Sequence, residues 1–385
     1  MLKYVAIRLL QGLLLLVVFL ALIYLLLEAQ PGDIAQQLTA NPELPPEAQA
    51  LMRERLGLDQ PLFGRTVTYV ANFFQGDLGY SFTQYPATVS QLILERLPRT
   101  FALFLSSLII SYYMGFLLGK ILAWRRGNFS ETALTLGGVA GYTVFYPWFA
   151  ILMLWFFGYV LGLFPIGKFI DVEEWSGAPD GITPNSLFIR LLLSVAIVSA
   201  LVFATFVASR RLNASKGKLL RRIAVPVVIV ALFLYWWLSP VRSYAGDLVH
   251  HTMLPVLTLS LVNFAGVMLL TRASMLETLK EDYILTAKAK GLPPRMIRDK
   301  HAARNALLPV VTSLVLALSF VIGGGILTEA TFSWPGLGEM LLSATLNEDL
   351  PLATGTLGII GILALIGHIL ADVLYMVLDP RIRAG

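Results

Sequence analysis

Long apolar runs separated by short polar connections set the pattern of this chain. A hydrocarbon core about 30 Å thick is crossed by about 20 mostly apolar residues in a helix. Runs of that order lie near Leu9–Leu27, Thr100–Ala123, Leu134–Leu161, Leu187–Ala208, Ile223–Leu238, Met253–Thr271, Pro309–Leu327 and Leu352–Leu378. They predict about eight transmembrane helices in an all-α polytopic bundle. The first run follows Lys3 and Arg8, as a secretory signal would. Its apolar stretch exceeds the roughly 7–15 residues of a signal core, and Glu28-Ala29-Gln30-Pro31 is a poor cleavage site, so it reads as an uncleaved anchor. Ile223–Leu238 is short and contains Pro226, which leaves a re-entrant segment as the alternative to a crossing.

The polar positions orient these runs, because cytoplasmic connections of membrane proteins collect Lys and Arg. With the N-terminus inside, the cytoplasmic connections carry Arg125-Arg126, the set Arg210, Arg211, Lys216, Lys218, Arg221 and Arg222, and the basic stretch Arg272–Arg304. Arg381 and Arg383 also fall inside. The connection from Thr328 to Pro351 has no Lys or Arg but carries Glu329, Glu339, Glu348 and Asp349, so it belongs outside. Parity supports Ile223–Leu238 as a true crossing: without it, the Arg272–Arg304 stretch would fall outside. Both termini are therefore cytoplasmic.

Composition narrows the chemistry. Of 385 residues, 57% are hydrophobic and only 14% charged, against roughly 25% charged in soluble domains. Lipid must solvate much of that surface. The absence of cysteine excludes disulfides, thiolate metal sites and cysteine catalysis, and four histidines leave little for a metal cluster. Nothing points to nucleic acid. The segment 29–97 is the largest extracytoplasmic piece. It holds turn formers (Pro31-Gly32-Asp33, Pro42, Pro45-Pro46) and a stretch, Glu47–Leu56, suited to a short surface helix. Too small to fold alone without disulfides, it is expected to lie against the membrane part or a partner.

The connection after the sixth run, 272–308, has the physics of two short helices with a bend. Glu281 and Asp282 sit at the positive end of a helix-forming stretch, and Lys288 and Lys290 at its negative end. Gly291 follows where a cap residue with positive φ is expected. Pro293-Pro294 can start the next helix. Small residues Ala287, Ala289 and Gly291 predict a low surface on which another protein could pack. On these features alone, an ordinary basic loop obeying the positive-inside rule is an equal reading.

The pattern Asp282-Tyr283-Ile284, Thr286-Ala287-Lys288-Ala289-Lys290-Gly291-Leu292, His301-Ala302 and Arg304-Asn305-Ala306-Leu307-Leu308-Pro309 decides between them. It resembles the cytoplasmic coupling (EAA) loop of permeases of binding-protein-dependent ABC importers, in the form of the dipeptide/oligopeptide/nickel permease family. Pro31-Gly32-Asp33, Leu56-Gly57-Leu58-Asp59-Gln60-Pro61-Leu62, Gly76-Asp77-Leu78-Gly79-Tyr80-Ser81, Leu161–Gly167, Glu329–Gly338 and Asp379–Arg383 extend the resemblance, in order, over most of the chain. Two departures stand. The acidic residue that names the loop is replaced by Leu285 or Thr286, as is typical of the peptide branch. Between Lys168 and His251 this chain carries about 80 residues where family members have a short external loop, so 187–239 reads as an inserted pair of spans added to a six-span core.

The resemblance implies one permease domain of ABC importer type I over 1–385, in the bacterial cytoplasmic (inner) membrane. It implies as partners a second homologous permease, two cytoplasmic ABC ATPases and an extracytoplasmic solute-binding protein. ATP and Mg would sit on the ATPases: no Gly-x-x-x-x-Gly-Lys-[Ser/Thr] loop occurs here, so the chain is not expected to hydrolyse ATP or to bind a cofactor or metal. The implied ATPase-coupling residues are Asp282, Tyr283, Thr286, Ala287, Lys288, Ala289, Gly291, Leu292, His301, Arg304 and Asn305. Family members carry di- and oligopeptides, nickel chelates and in some cases oligosaccharides, and the choice resides mainly in the binding protein.

Asn263, near the middle of its run, is the candidate pathway-lining residue; its plainer reading is an interhelical hydrogen bond worth about 1 kcal/mol. An intramembrane carboxylate such as Asp372 is a functional suspect, but pairing with Arg381 or a neighbouring chain is the expectation. His368 reads as packed or hydrogen-bonded. Gly323-Gly324-Gly325 and Gly355–Gly361 allow close helix packing or hinge motion, and packing is the plainer reading. A secondary transporter uncoupled from an ATPase is the alternative function, although no internal repeat supports it. A membrane enzyme built on His250-His251 is disfavoured, since adjacent histidines point apart on a helix and lack an i, i+4 partner.

Overall fold

The computed structural model describes residues 2–28, 46–47, 49–50, 61–321 and 325–378. Pro31-Gly32-Asp33, most of Glu47–Leu56, Leu56–Gln60, Gly323-Gly324 and Asp379–Arg383 lie outside the described residues. All regular structure among the described residues is helical. The elements are α1 (Leu2–Glu28), α2 (Leu62–Phe74), α3 (Val89–Trp124), α4 (Phe129–Thr143), α5 (Tyr146–Met153), α6 (Val172–Trp175), α7 (Pro184–Arg210) and α8 (Ala214–Trp237). After them come α9 (Arg242–Thr278), α10 (Asp282–Ala289), α11 (Pro294–Met296), α12 (Ala303–Val321), α13 (Ile326–Thr331), α14 (Leu337–Leu346) and α15 (Leu350–Leu378). Residues 154–160 and 297–302 form wider π turns.

Helix starts follow from local chemistry. Thr88 and Gln91 form a reciprocal capping box at α3, and Thr183 and Ser186 do the same at α7, where Pro184 takes the first turn. Seven described helices are long and apolar enough to cross a membrane, and an eighth crossing arises if α4 and α5 count as one.

That third span departs from expectation. Leu134–Leu161 is not one helix: the chain bends by 107° between α4 and α5. Pro147 explains the break, because a continuous helix would press its ring against the carbonyl of Thr143, the last residue of α4. Val144 turns to an extended conformation instead. Arg125-Arg126 and the Arg210–Arg222 cluster flank this pair and α7. Both clusters lie inside only if the broken pair crosses once.

The run Pro309–Leu327 also divides: Pro309 lies within α12, which ends at Val321, and Ile326 opens the short α13. The re-entrant alternative for Ile223–Leu238 gives way to an uninterrupted helix, α8, that accommodates Pro226.

The chain forms two compact units, residues 1–153 with 255–385, and residues 154–254. In the second, α7 and α8 pack as a hairpin. Trp236 Nε1 donates to Ser194 Oγ at 3.1 Å. The hairpin turn needs a glycine: a Cβ on Gly217 would stand 2.4 Å from the Ser209 carbonyl oxygen. The apolar windows of α7 and α8 have no residue buried within the chain. Basic residues mark one end of α8 and Phe233, Tyr235, Trp236 and Trp237 the other, the arrangement of a span with an aromatic interface anchor. Asp247 is buried and accepts from the Asp171 amide at 3.1 Å and Trp175 Nε1 at 2.8 Å, while pairing with His251 at 2.9 Å. His250 Nε2 is 2.8 Å from the Leu163 carbonyl oxygen. Both histidines thus fasten the loop after residue 160.

In the first unit, α15 packs against α1, α12, α14 and α3. The described part of the external segment does lie on the membrane helices. Phe73 of α2 is buried with Leu16 and Leu20 of α1, Tyr69 stacks on Tyr24 at 4.9 Å, and a Cβ on Gly358 of α15 would be 2.3 Å from the Phe73 ring.

Two buried carboxylates brace the outer end of this unit. Asp349 caps α15 through the Leu352 amide at 3.2 Å and also accepts from Ser81 Oγ, Thr83 Oγ1 and the Thr83 amide. The 76–81 motif reaches it because Gly76 and Gly79 both adopt φ of 79°. Glu329 accepts from Thr100 Oγ1 at 2.8 Å and from the Gly338 and Glu339 amides at 2.6 and 3.0 Å, which are orphan donors in the first turn of α14. Gly336 has to be small here, since its Cβ would stand 2.3 Å from the Glu329 carboxylate.

Candidate functional site

The cytoplasmic hairpin runs from the end of α9 through α10 and α11 to the start of α12. Its α10 is short and has two faces. Ile284 is wholly buried and Ala287 nearly so, while Asp282, Tyr283, Leu285, Thr286, Lys288 and Ala289 are exposed. Ile284 and Ala287 pack with Ile297, Ala302, Ala303 and Ala306 on the return arm, and with Met275 of α9 and Ala123 of α3. Burying an isoleucine fully contributes about 1.5–3 kcal/mol. An eight-residue helix could not persist alone in water, so this seat is what holds α10 in place.

The bend follows the expected chemistry. Gly291 takes φ of 69° and its amide donates to the Lys288 carbonyl at 2.9 Å. Leu292 is half-buried against the seat, and Pro293 and Pro294 open α11. One polar tie closes the hairpin and a second fastens it to α3. Asn305 Nδ2 donates to Tyr283 Oη at 2.7 Å, and Lys120 of α3 contacts Asp299 at 3.1 Å. Arg298 also forks onto the Asp299 carboxylate through two 2.9 Å bonds. The Arg298 guanidinium, with help from Lys120, holds Asp299 down to about 2. Arg272 pairs with the buried Glu131 of α4, fixing the inner end of the broken span to α9.

The predicted coupling residues therefore divide by role. Asp282, Thr286, Lys288 and Ala289 stand on the outer face of α10, and Arg304 is exposed on the return arm. His301 is half-buried. Tyr283 and Asn305 are exposed but bond to each other. Ala287 does not leave a low outer surface, as its smallness suggested: it faces inward, where a larger side chain would collide with the return arm. Leu285, 56% exposed, is the large apolar side chain on the outer face, at a position that the family pattern marks only as a departure. Spacing could have found it, since buried 284 and 287 fix 285 and 289 on the opposite side of a 3.6-residue helix.

Between the spans of the first unit lies a cleft of about 650 Å³, and Asn263 lines it with Ser107, Tyr112, Tyr142 and Ser313 among apolar neighbours. Tyr112 donates to Ser313 at 3.2 Å. The Asn263 side chain is exposed and has no hydrogen-bond partner among the described residues, so the interhelical bond expected as its plainer role is absent there. Close approach of α3 and α9 shapes one wall: a Cβ on Gly115 would be 2.7 Å from the Cβ of Val267, which lines the cleft. At the inner end, Asp372 pairs with Arg8 at 3.3 Å; Arg381, its expected partner, lies outside the described residues. His368 Nδ1 bonds the Ala364 carbonyl, as a hydrogen-bonded histidine should. No cluster of metal-ligating side chains occurs among the described residues.

The family described as binding-protein-dependent transport system inner membrane component matches residues 200–384, and its N-terminal region matches residues 1–104. The di/tripeptide transport system permease protein DppB of Pseudomonas aeruginosa is 30% identical over 362 residues, covering 94% of this chain and 93% of that protein. The oligopeptide transport system permease protein AppB of Bacillus subtilis is 27% identical over 383 residues, covering all of both. With its multiple apolar spans and these matches, the chain belongs to the inner membrane components of binding-protein-dependent transport systems.

Proposed function

We propose that this chain forms, with a second homologous permease, the translocation pathway of an ABC importer for peptides or closely related solutes. A solute-binding protein delivers the cargo outside. Two ATPase subunits hold the outer face of α10 inside, and ATP and Mg reside on them. The observation that carries this reading is the seat beneath α10. A force applied to Leu285 passes through Ile284 and Ala287 into α3, α9 and α12 together, because one buried cluster joins all of them. Packed interiors transmit displacement rather than absorb it, so rocking the hairpin moves three spans.

The cleft supports the cargo class. Its polar lining is hydroxyl and amide, with no acid, Lys or Arg among the described residues around it. Such a lining offers hydrogen bonds to peptide backbone without selecting a side-chain charge. Peptides are what the related DppB and AppB are named for.

Leu285→Glu tests the reading, because it changes the outer face and leaves the seat intact. The full-length chain is isolated from membranes in mild detergent with its accompanying subunits, and peptide uptake is measured in cells. Wild type should bring ATPases and a second permease. The variant should fold as wild type, lose the ATPases and lose uptake. A variant that keeps both would overturn the outer face of α10 as the docking surface, and a wild type that takes up peptide but brings no ATPase would favour transport uncoupled from ATP.

A further inference from the structure

A groove of about 580 Å³ runs between α1 and α15 in the first unit, apart from the cleft and the hairpin. Its two ends differ in chemistry. One is polar, with Arg8, Gln11, His368 and Asp372; the other is apolar, closing at Phe19 and Gly361. From Arg8 to Phe19 an α-helix rises about 16 Å, and from Gly361 to Asp372 the same. That is the depth of one leaflet, about half of a 30 Å hydrocarbon core. Arg8 lies near the start of α1 and Asp372 near the end of α15, so the polar end sits at the cytoplasmic interface.

The ion pair there is only half-buried: Arg8 is 47% and Asp372 33% exposed at the side chain. A pair serving only to staple two helices would need no groove beneath it. This one places a cation and an anion at the mouth of an apolar slot one leaflet deep. The shape matches an amphiphile with a charged head of both signs and a chain of leaflet length. A neighbouring helix would have to bring an acid and a base to the same level. An ethanolamine phospholipid carries phosphate and ammonium on one headgroup, and its primary ammonium can donate to Asp372 where a trimethylated one cannot.

We propose that the α1–α15 groove holds one inner-leaflet phospholipid with an ethanolamine headgroup, phosphate on Arg8, ammonium on Asp372 and an acyl chain lying over Leu15 and Leu365. The lipid lies in the groove along the contact between the first and last spans, where Gly12 meets Leu365 and Gly361 meets Phe19.

The test isolates the full-length chain with its accompanying subunits from membranes containing phosphatidylethanolamine and phosphatidylglycerol, then strips lipid stepwise in detergent and counts what remains by native mass spectrometry. One phosphatidylethanolamine per chain should outlast the bulk lipid. Ala364→Phe, which fills the groove, should lose it, while Leu370→Phe, exposed on α15 but outside the groove, should keep it. Asp372→Asn leaves the groove's shape intact and serves if Ala364→Phe fails to elute as a folded species. It should lower the preference for phosphatidylethanolamine over phosphatidylglycerol by roughly fivefold. The proposal is overturned if no lipid outlasts the bulk, if Ala364→Phe folds and retains the lipid, or if Asp372→Asn leaves the headgroup preference unchanged.

Discussion

The Asn305 side-chain amide donates to the Tyr283 hydroxyl at 2.7 Å, joining the outgoing and returning arms of the cytoplasmic hairpin across its exposed side. Beneath it the apolar seat fixes the same two arms from inside. An exposed neutral hydrogen bond contributes about 0.5–1.5 kcal/mol, so Tyr283→Phe should loosen the hairpin without unfolding it. Hydrogen exchange over 279–305 should quicken roughly threefold to tenfold, the factor that such a loss gives. Unchanged exchange would show that the seat alone determines hairpin order.

Ala287 and Leu285 are two residues apart in sequence and opposite in consequence. Ala287→Glu forces a carboxylate into the seat among Ile284, Ala302 and Ala306. A buried, unpaired charge and overpacking together cost several kcal/mol. Thermal unfolding in detergent should fall for Ala287→Glu and stay near wild type for Leu285→Glu. Gly291→Ala should cost about 1 kcal/mol, because a Cβ there meets open space and only the φ of 69° is strained.

Most of this architecture is legible from residue pattern. Apolar length locates the spans, basic clusters orient them, and the Gly291-Leu292-Pro293-Pro294 stretch forecasts the bend. What escapes is whatever depends on tertiary contact. The break at Pro147 is local but hidden inside a continuous apolar run, where hydropathy is blind to a missing amide hydrogen. Ala287 reads equally well as a low outer surface or a tight inner contact, and only the return arm decides. Asp372 pairs with Arg8, more than three hundred residues away, a contact that only the packing of α1 on α15 creates. Glu329 and Asp349 stood inside recognisable motifs, yet their acceptor roles depend on Thr100 and Ser81, more than two hundred residues away.

Asp299 gives the hairpin a pH signature. Arg298 and Lys120 depress its carboxyl to about 2. A depressed carboxyl stabilises the folded state above its ordinary value, near 3.9, and that contribution is lost as pH falls through the folded value. Asp299→Asn should therefore unfold at a lower temperature than wild type at pH 7, and the gap should narrow below about pH 4. A gap that stays constant down to pH 3 would mean the ion pairs with Lys120 and Arg298 add nothing beyond a neutral hydrogen bond.

Glu329 predicts the opposite slope. Burial pushes its carboxyl up, against the lowering pull of Thr100 and the Glu339 and Gly338 amides. A raised carboxyl stabilises the folded state below its ordinary value, and that contribution is lost as pH rises through the folded value. Glu329→Gln does not titrate. Its amide oxygen can accept from the two α14 amides, and its NH2 can donate to Thr100 Oγ1. The unfolding temperature of Glu329→Gln relative to wild type should therefore rise as pH is taken from about 4 to neutrality. Glu329→Ala strands two buried amides at the start of α14 and should cost about 2–4 kcal/mol at every pH. If Glu329→Gln proves as damaging as Glu329→Ala at pH 7, the site requires the negative charge itself, set by the first turn of α14, and burial is the lesser influence on this carboxyl.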